Sequence, residues 1–417
     1  MNLDQMKLVD YYAGAPACFL LSTIGKFFSA ASPLLRRDAS VRKILVIKFW
    51  GIGSIVNASP ALRALRQAYP AARLTLLTLS RNTSVYDENR ELVDRVVHFE
   101  VGDFWRFSLA FLRFLLHLAS ERYDLVVDLE FFSRFSAVVT FLSLAPRRIG
   151  FDSRKLWRSD LYSHVIPYRD NQHVIDSFLD AAVAAGAKRG SRELSKPFVS
   201  SADRAKASSL LLSAGIHSSD KILVINPNTG ELALERRWPL ENFSQLIELS
   251  SRLPGVRIVL IGAAKDRPIV YKVLSGLSPY AYARSVNTCG RLSLRQLAAL
   301  FERADAVVSN DSGPMHLSAA VGTPTICLFG PETPAKYGPL DKRHFIFYES
   351  LRCSPCMSVA NDKTVSCPRN AECMRRIKVA KVFETVKKLL SEPRKEERRT
   401  SRAAKTVAEK LKERRRK

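Results

Sequence analysis

Two nearly identical strings, Lys43-Ile-Leu-Val-Ile-Lys48 and Lys221-Ile-Leu-Val-Ile-Asn226, stand in the two halves of a 417-residue chain. A short unbroken apolar run fits a strand buried on both faces, the situation of a parallel sheet. Gly51 and Gly53 follow the first string, then Ile55, Ala58, Leu62, Leu65 and Tyr69 at three- and four-residue steps, then the run Arg73–Thr78. Strand, glycine turn, helix, strand is a βαβ unit, and its sheet must be parallel. Asp94–Phe99 and Tyr123–Leu129 continue the alternation, with a helical stretch over 104–120 between them. The second string opens the same kind of series: a turn at Pro227–Gly230, a helix at Leu240–Leu253, a strand at Val256–Ile261, a helix at Ser293–Glu302, a strand at Ala306–Ser309, a helix at Met315–Val321 and a strand at Thr325–Phe329. The fold class expected is α/β, with two Rossmann-like, doubly wound domains facing a cleft, at residues 41–205 and 206–392. A Ser-, Lys- and Arg-rich connector lies near 187–220, a lead segment at 1–40 and a tail at 393–417. The length agrees with two or three domains of roughly 150 residues.

Hydrophobic residues at 47% and charged residues at 25% exclude global disorder, a collagen-like repeat and a small disulfide scaffold. The net charge of +25 calls for an anionic partner: nucleic acid, an acidic membrane surface or phosphorylated substrates. The tail Pro393–Lys417 carries 12 Lys/Arg against 4 Asp/Glu. It reads as a solvated, partly helical tail or as a tether to anionic lipid; no base-stacking motif or zinc-finger spacing favours nucleic acid. Lys26 interrupts the apolar stretch Pro16–Leu35, Arg106 and Arg113 interrupt Phe104–Ala119, and Phe131–Ala145 is too short to span a bilayer. Pro16–Leu35 reads either as a helix packed on the protein body or as an interfacial helix flanked by Lys26, Arg36 and Arg37. Asp4 and Asp10 make the N-terminus a poor signal peptide, so a cytoplasmic protein is the simplest reading.

Doubly wound sheets bind ligands outside the carboxyl ends of their strands. Two such sheets face to face can hold a donor on one side and an acceptor on the other. Three stretches sit at those ends. Ser309-Asn-Asp-Ser-Gly-Pro-Met-His316, followed by Gly322-Thr-Pro324, joins a strand end to a helix start, where free N–H groups and the helix dipole suit a pyrophosphate. Asp311 and Ser312 are good N-cap residues, and Gly313 permits close backbone approach. Arg236-Arg-Trp-Pro239 can anchor a helix through Trp-Pro or clamp phosphate bidentately. Gly51-x-Gly53 lacks the third glycine of a dinucleotide fingerprint, which excludes a nicotinamide dehydrogenase.

In this order, Lys48…Gly51-x-Gly53…Pro60-Ala-Leu-Arg63, Asp128 with Arg148-x-Gly150, Arg236-Arg-Trp-Pro239, Gly262-Ala-Ala-Lys-Asp266 and Asn310–His316…Gly322-Thr-Pro324 resemble glycosyltransferase family 9, the lipopolysaccharide heptosyltransferase group, from about residue 43 to about 385. The resemblance implies a GT-B fold and an inverting, metal-independent glycosyl transfer that requires no cofactor. The donor it implies is ADP-heptose, and the acceptor an anionic, lipid-linked inner-core sugar at the inner face of a bacterial inner membrane. It places Asp311 against the donor sugar, the backbone at Ser312, Gly313 and Met315 on the diphosphate with Thr229 and His316 nearby, and Asp266 on the ribose. Arg236 takes the position of a lysine that neutralises the leaving diphosphate; arginine keeps the charge with a different geometry. Lys48, Ser54 and Arg63 are the implied acceptor-binding residues. His316 itself reads either as packing at the helix start or as a donor contact.

The family's glycine turn commonly carries an aspartate, a candidate general base, where this chain has Ser54. A serine hydroxyl has no useful basicity near neutral pH. Three explanations stand: another carboxylate acts, Asp128 or Glu130 being nearest in pattern; electrostatic stabilisation suffices; or the chain has a different acceptor or is inactive, a sugar-nucleotide or lipid-core binding protein that kept the fold. Cys353, Cys356, Cys367 and Cys373 are spaced to ligate a structural zinc, to stay as free thiols, or to pair as disulfides. The aromatic run Phe104, Trp105, Phe107, Phe111, Phe114 reads as packing or as an acceptor-lipid groove.

Overall fold

β1 (Lys43–Ile47) and β7 (Lys221–Asn226) each run down the middle of a six-stranded parallel sheet in the computed structural model. The structure describes residues 8, 10–30, 40–99, 113–116, 118, 120–152, 157–230, 233–359 and 363–392. The tail, much of the lead segment and the aromatic run up to Phe111 lie outside the described residues. With β2 (Arg73–Leu79), β3 (Arg95–Phe99), β4 (Leu125–Asp128), β5 (Arg147–Phe151) and β6 (His164–Ile166), the first sheet has the order β3-β2-β1-β4-β5-β6. With β8 (Val256–Leu260), β9 (Ser285–Asn287), β10 (Ala306–Asn310), β11 (Thr325–Phe329) and β12 (Phe345–Tyr348), the second has the order β12-β11-β10-β7-β8-β9. Counted from its own first strand, each sheet has the same doubly wound arrangement. The chain direction reverses beside β1 and β4 in one and beside β7 and β10 in the other, which is where such folds bind ligands.

β1 and β7 form because their apolar side chains are covered on both faces: Ile44 to Ile47 and Ile222 to Ile225 are essentially inaccessible. The edge strands β6, β9 and β12 are short and partly exposed, and so lack the apolar run that marks the central ones. The single helix expected after Gly51 is two segments, Ile52–Asn57 and Ser59–Ala68, divided at Ala58 ahead of Pro60. The expected domain boundary at 205/206 falls inside the helix Ser201–Ser213. That helix opens on a capping box at Ser200 and Asp203 and packs on Leu294–Arg303 of the second unit. Ahead of that helix, residues 187–200 form neither helix nor strand. One buried cluster runs unbroken from Ile44 and Val46 through Ile55, Met315 and Leu317 to Ile222 and Val224, so the two units share apolar packing.

Candidate active site

Two loops of the first sheet build one wall. Glu130, just past the end of β4, reaches back to the turn after β1. Its Oε1 accepts from the backbone N–H of Phe49 (2.6 Å) and of Trp50 (2.9 Å) and pairs with Lys48 Nζ at 2.8 Å. Its Oε2 is buried and has no hydrogen-bond partner among the described residues. Burial pushes the Lys48 ammonium below its ordinary pKa, while Glu130 and Asp128 pull it back up.

Asp128, expected as an alternative catalytic carboxylate, is a scaffold residue in this arrangement. Its Oδ1 accepts from Glu130 N (2.9 Å), and its Oδ2 accepts from Ser136 Oγ (2.7 Å), Tyr162 OH (2.6 Å) and Arg158 Nη2 (2.9 Å). Three of these four donors converge on Oδ2, more than its two lone-pair sites. Burial raises its pKa, and both oxygens, fully buried, are already engaged by protein donors. Arg63 is likewise drawn elsewhere: its guanidinium donates to Ser195 Oγ (3.4 Å) and to the Glu193 carbonyl, both in the connector. Ser54 lies half-buried at the Gly51 turn, where Gly51 adopts a left-handed φ of 80°.

The second wall stands at the carboxyl ends of β7 and β10. Asn226 Nδ2 donates to Ser312 Oγ (2.9 Å), and Asn310 ties the loops together by donating to Pro227 O (3.1 Å) and accepting from Trp238 N (2.9 Å). Ser312 is the N-cap of the helix Gly313–Val321, yet its side chain makes no capping bond. Its hydroxyl instead donates to Asn310 O at 3.1 Å. The start of this nine-residue helix therefore keeps its dipole end without a side-chain cap, the setting an anion uses.

Arg236 donates to Asp311 O (2.7 Å) and Thr229 O (2.8 Å), with Asp311 Oδ2 at 3.5 Å from its Nη1. This places the predicted Thr229, Arg236, Asp311 and Ser312 in one group. Trp238 is fully buried and donates to Ile377 O at 3.0 Å, so Trp-Pro does anchor the unit. Asp266 closes the turn after β8 by accepting from Ala263 N at 2.8 Å.

The walls meet. Asn57 Nδ2 donates to His316 Nδ1 at 3.3 Å, and a Cβ on Gly53 would collide with the His316 ring. A Cβ on Gly313 would lie 3.0 Å from Ile52 Cβ, so what approaches Gly313 closely is the opposite helix. Burial pushes His316 down to about 4, so its imidazole is neutral near pH 7. His173 crosses the interface too, its Nε2 donating to Gly338 O at 3.0 Å while its Nδ1 accepts from Ile175 N at 3.2 Å.

Three residues that the sequence reading did not single out join this charged interior. Lys363 Nζ lies 2.7 Å from Tyr337 OH and 3.4 Å from Glu332 Oε2. All three are buried or nearly so, and the Lys363 charge acts on Asp311, Arg236 and Lys48. Glu332 follows the carboxyl end of β11, where the strand-end rule would have found it. Lys363 arrives on a long irregular loop with no local signal.

Cys353, Cys356, Cys367 and Cys373 lie close enough for their charges to act on one another. All seven thiols are free, and no three His, Cys, Asp or Glu side chains among the described residues converge on a position that would hold a metal. Cys353 is exposed, Cys373 is buried, and the other two are intermediate.

Two doubly wound domains, with an uncapped helix start on one and a buried carboxylate on the other, make up a GT-B fold. Residues 111–364 match the model of glycosyltransferase family 9 (heptosyltransferase), and the chain belongs to that family. Lipopolysaccharide heptosyltransferase 2 of Salmonella typhimurium is 26% identical over 322 residues, 72% of this chain and 86% of that protein. The crystal structure of the family 9 glycosyl transferase from Veillonella parvula superposes with a TM-score of 0.71 at 21% identity, covering 85% of this chain and 99% of that one. The E. coli ADP-heptose lps heptosyltransferase II does so with a TM-score of 0.66 at 21% identity, covering 84% and 98%.

Proposed function

We propose that the chain transfers a heptose from ADP-heptose to the inner core of a lipopolysaccharide or a related cell-envelope glycan. The observation that carries this reading is that the Arg236–Asp311 group at an uncapped helix start and Glu130, whose Oε2 has no partner, both act electrostatically on the same buried Tyr337. In this reading the N–H groups from Ser312 onward hold the diphosphate. Arg236 and Lys363 balance the charge that grows on it, Asp311 orients the sugar, and Asp266 takes the ribose hydroxyls. An acceptor hydroxyl attacks the anomeric carbon from the face opposite the diphosphate. The new C–O bond forms as the bond to the β-phosphate oxygen breaks. ADP departs, and the hydroxyl proton passes to Glu130 Oε2. Lys48 and Ser54 line the acceptor side. A lipid-linked acceptor puts the enzyme on the anionic cytoplasmic leaflet, to which a chain of net charge +25 is drawn.

Incubation with ADP-heptose and a panel of truncated lipid cores, followed by mass spectrometry, tests this. One added heptose on one member of the panel, lost in Asp311→Ala, is expected. Calorimetric binding of ADP-heptose with no product on any core would overturn the transfer reading in favour of a binding protein, the alternative that Ser54 raises.

A further inference from the structure

We propose that the outward face of the lead helix, together with Trp157, inserts into the interfacial layer of an anionic lipid bilayer. The helix Gly14–Ala30 has 17 residues and one charged side chain, Lys26. A helix that is apolar all round needs cover on every side. Its inner side has that cover: Cys18 is fully buried, and Ala17 and Leu21 pack with Ala137, Val138, Leu161 and Tyr162. Asp10 fastens its leading end, Oδ1 accepting from Phe135 N (2.8 Å) and Ser133 Oγ (3.2 Å) and Oδ2 from Arg134 N (3.1 Å). The lead segment thereby caps the helix Arg134–Leu142, which follows Glu130 on the acceptor-side unit.

The other side is open among the described residues. Phe19, Leu20 and Ile24 are exposed on the side of the helix away from Cys18 and Leu21, and Tyr12, just ahead of the helix, is exposed as well. Phe19 is 65% and Leu20 61% exposed, and the Phe19 ring lies 6.4 Å from that of Trp157, itself 60% exposed. Tyr and Trp on an apolar face match the headgroup boundary of a bilayer, where one end of the ring is dry and the other wet. Charge selects the occupant. Lys26, Arg36 and Arg37 lie in or shortly after the helix in sequence, and Arg154 and Lys155 stand three and two residues before Trp157. A second copy of the chain would set two surfaces of a +25 protein against each other, whereas an anionic lipid surface complements them. No helix among the described residues is long and apolar enough to cross a membrane, so this one lies along the surface.

This inference takes its setting from the lipid-linked acceptor proposed above, but its test does not depend on transfer. The full-length protein is mixed with phosphatidylglycerol vesicles carrying brominated acyl chains. Quenching of tryptophan fluorescence is expected, mostly lost in Trp157→Phe. Vesicle partitioning is expected to fall by about tenfold or more in the double variant Phe19→Glu, Leu20→Glu, with an unchanged circular-dichroism melt. Sedimentation with vesicles but no quenching would mean that basic segments adsorb without insertion and would overturn the proposal. So would undiminished quenching in Trp157→Phe, or a dimer in solution that the double variant dissolves. Transfer to a delipidated acceptor, run in parallel, is expected to survive in the double variant. Its absence in the wild-type protein alongside intact quenching would count against the enzymatic reading and leave the docking surface standing.

Discussion

Replacing Asp128 with Asn separates a scaffold carboxylate from a catalytic one. Asp128 and Arg158 are both fully buried and 2.9 Å apart. Removing one partner of such a pair costs about 3–5 kcal/mol, because the other charge is left uncompensated. The Asp10 carboxylate also acts on Arg158, and an asparagine oxygen can still accept from Tyr162 or Glu130 N. The low end, about 3 kcal/mol, is therefore expected. For a domain of this size each kcal/mol moves the melting temperature by about 2–4 °C, so Asp128→Asn should melt about 6–12 °C lower. Well below that temperature its kcat should stay within a few-fold of wild type. Glu130→Gln removes the oxygen proposed to take the proton and should cost about 10²–10⁴ in kcat. The assays are a circular-dichroism melt and steady-state transfer read by mass spectrometry. An Asp128→Asn enzyme with an unmoved melt and a kcat down by two orders of magnitude would refute the assignment of scaffold and base.

Two further outcomes follow from the interface. Gly53→Ala forces a methyl group against the His316 ring and should raise the energy of the closed state by about 1–3 kcal/mol; kcat/KM should fall accordingly while calorimetric ADP binding stays, and His316→Ala in the same chain should recover activity. His316 has a folded pKa of about 4 against 6.5 ordinarily, so the unfolded chain binds the proton first as pH falls. Its contribution, up to about 3 kcal/mol, is complete above pH 6.5 and lost as pH drops toward 4; urea midpoints measured across that window should slope less in His316→Gln, and an equal slope would place the titration elsewhere.

The central strands were legible because nothing but a two-sided cover explains runs such as Ile222–Ile225. The half-exposed strands β6 and β9 offered no such run. Thr229, Arg236, Asp311 and Ser312 could be read together because the fold itself gathers strand ends at the place where the chain reverses. That same rule could not distinguish Asp128 from Glu130. The difference lies in Arg158 and Tyr162, which come from a different loop and take the lone pairs of Asp128. Nor could the rule show that the Arg63 guanidinium bonds to the connector, at Ser195 and Glu193. Lys363 enters the site only through tertiary closure, from a loop whose own sequence drew attention to its cysteines.

The contact of Gly53 with His316 has a cost in motion. Under the proposed function, a nucleotide sugar placed at the Ser312 helix start would have to part the walls where Gly53 meets His316 and Gly313 meets Ile52. The stretch 187–200, with no helix or strand of its own, is where such a swing would bend. An opening of that kind would have to uncover the apolar side chains of Ile55, Met315 and Leu317 that the two halves now bury together.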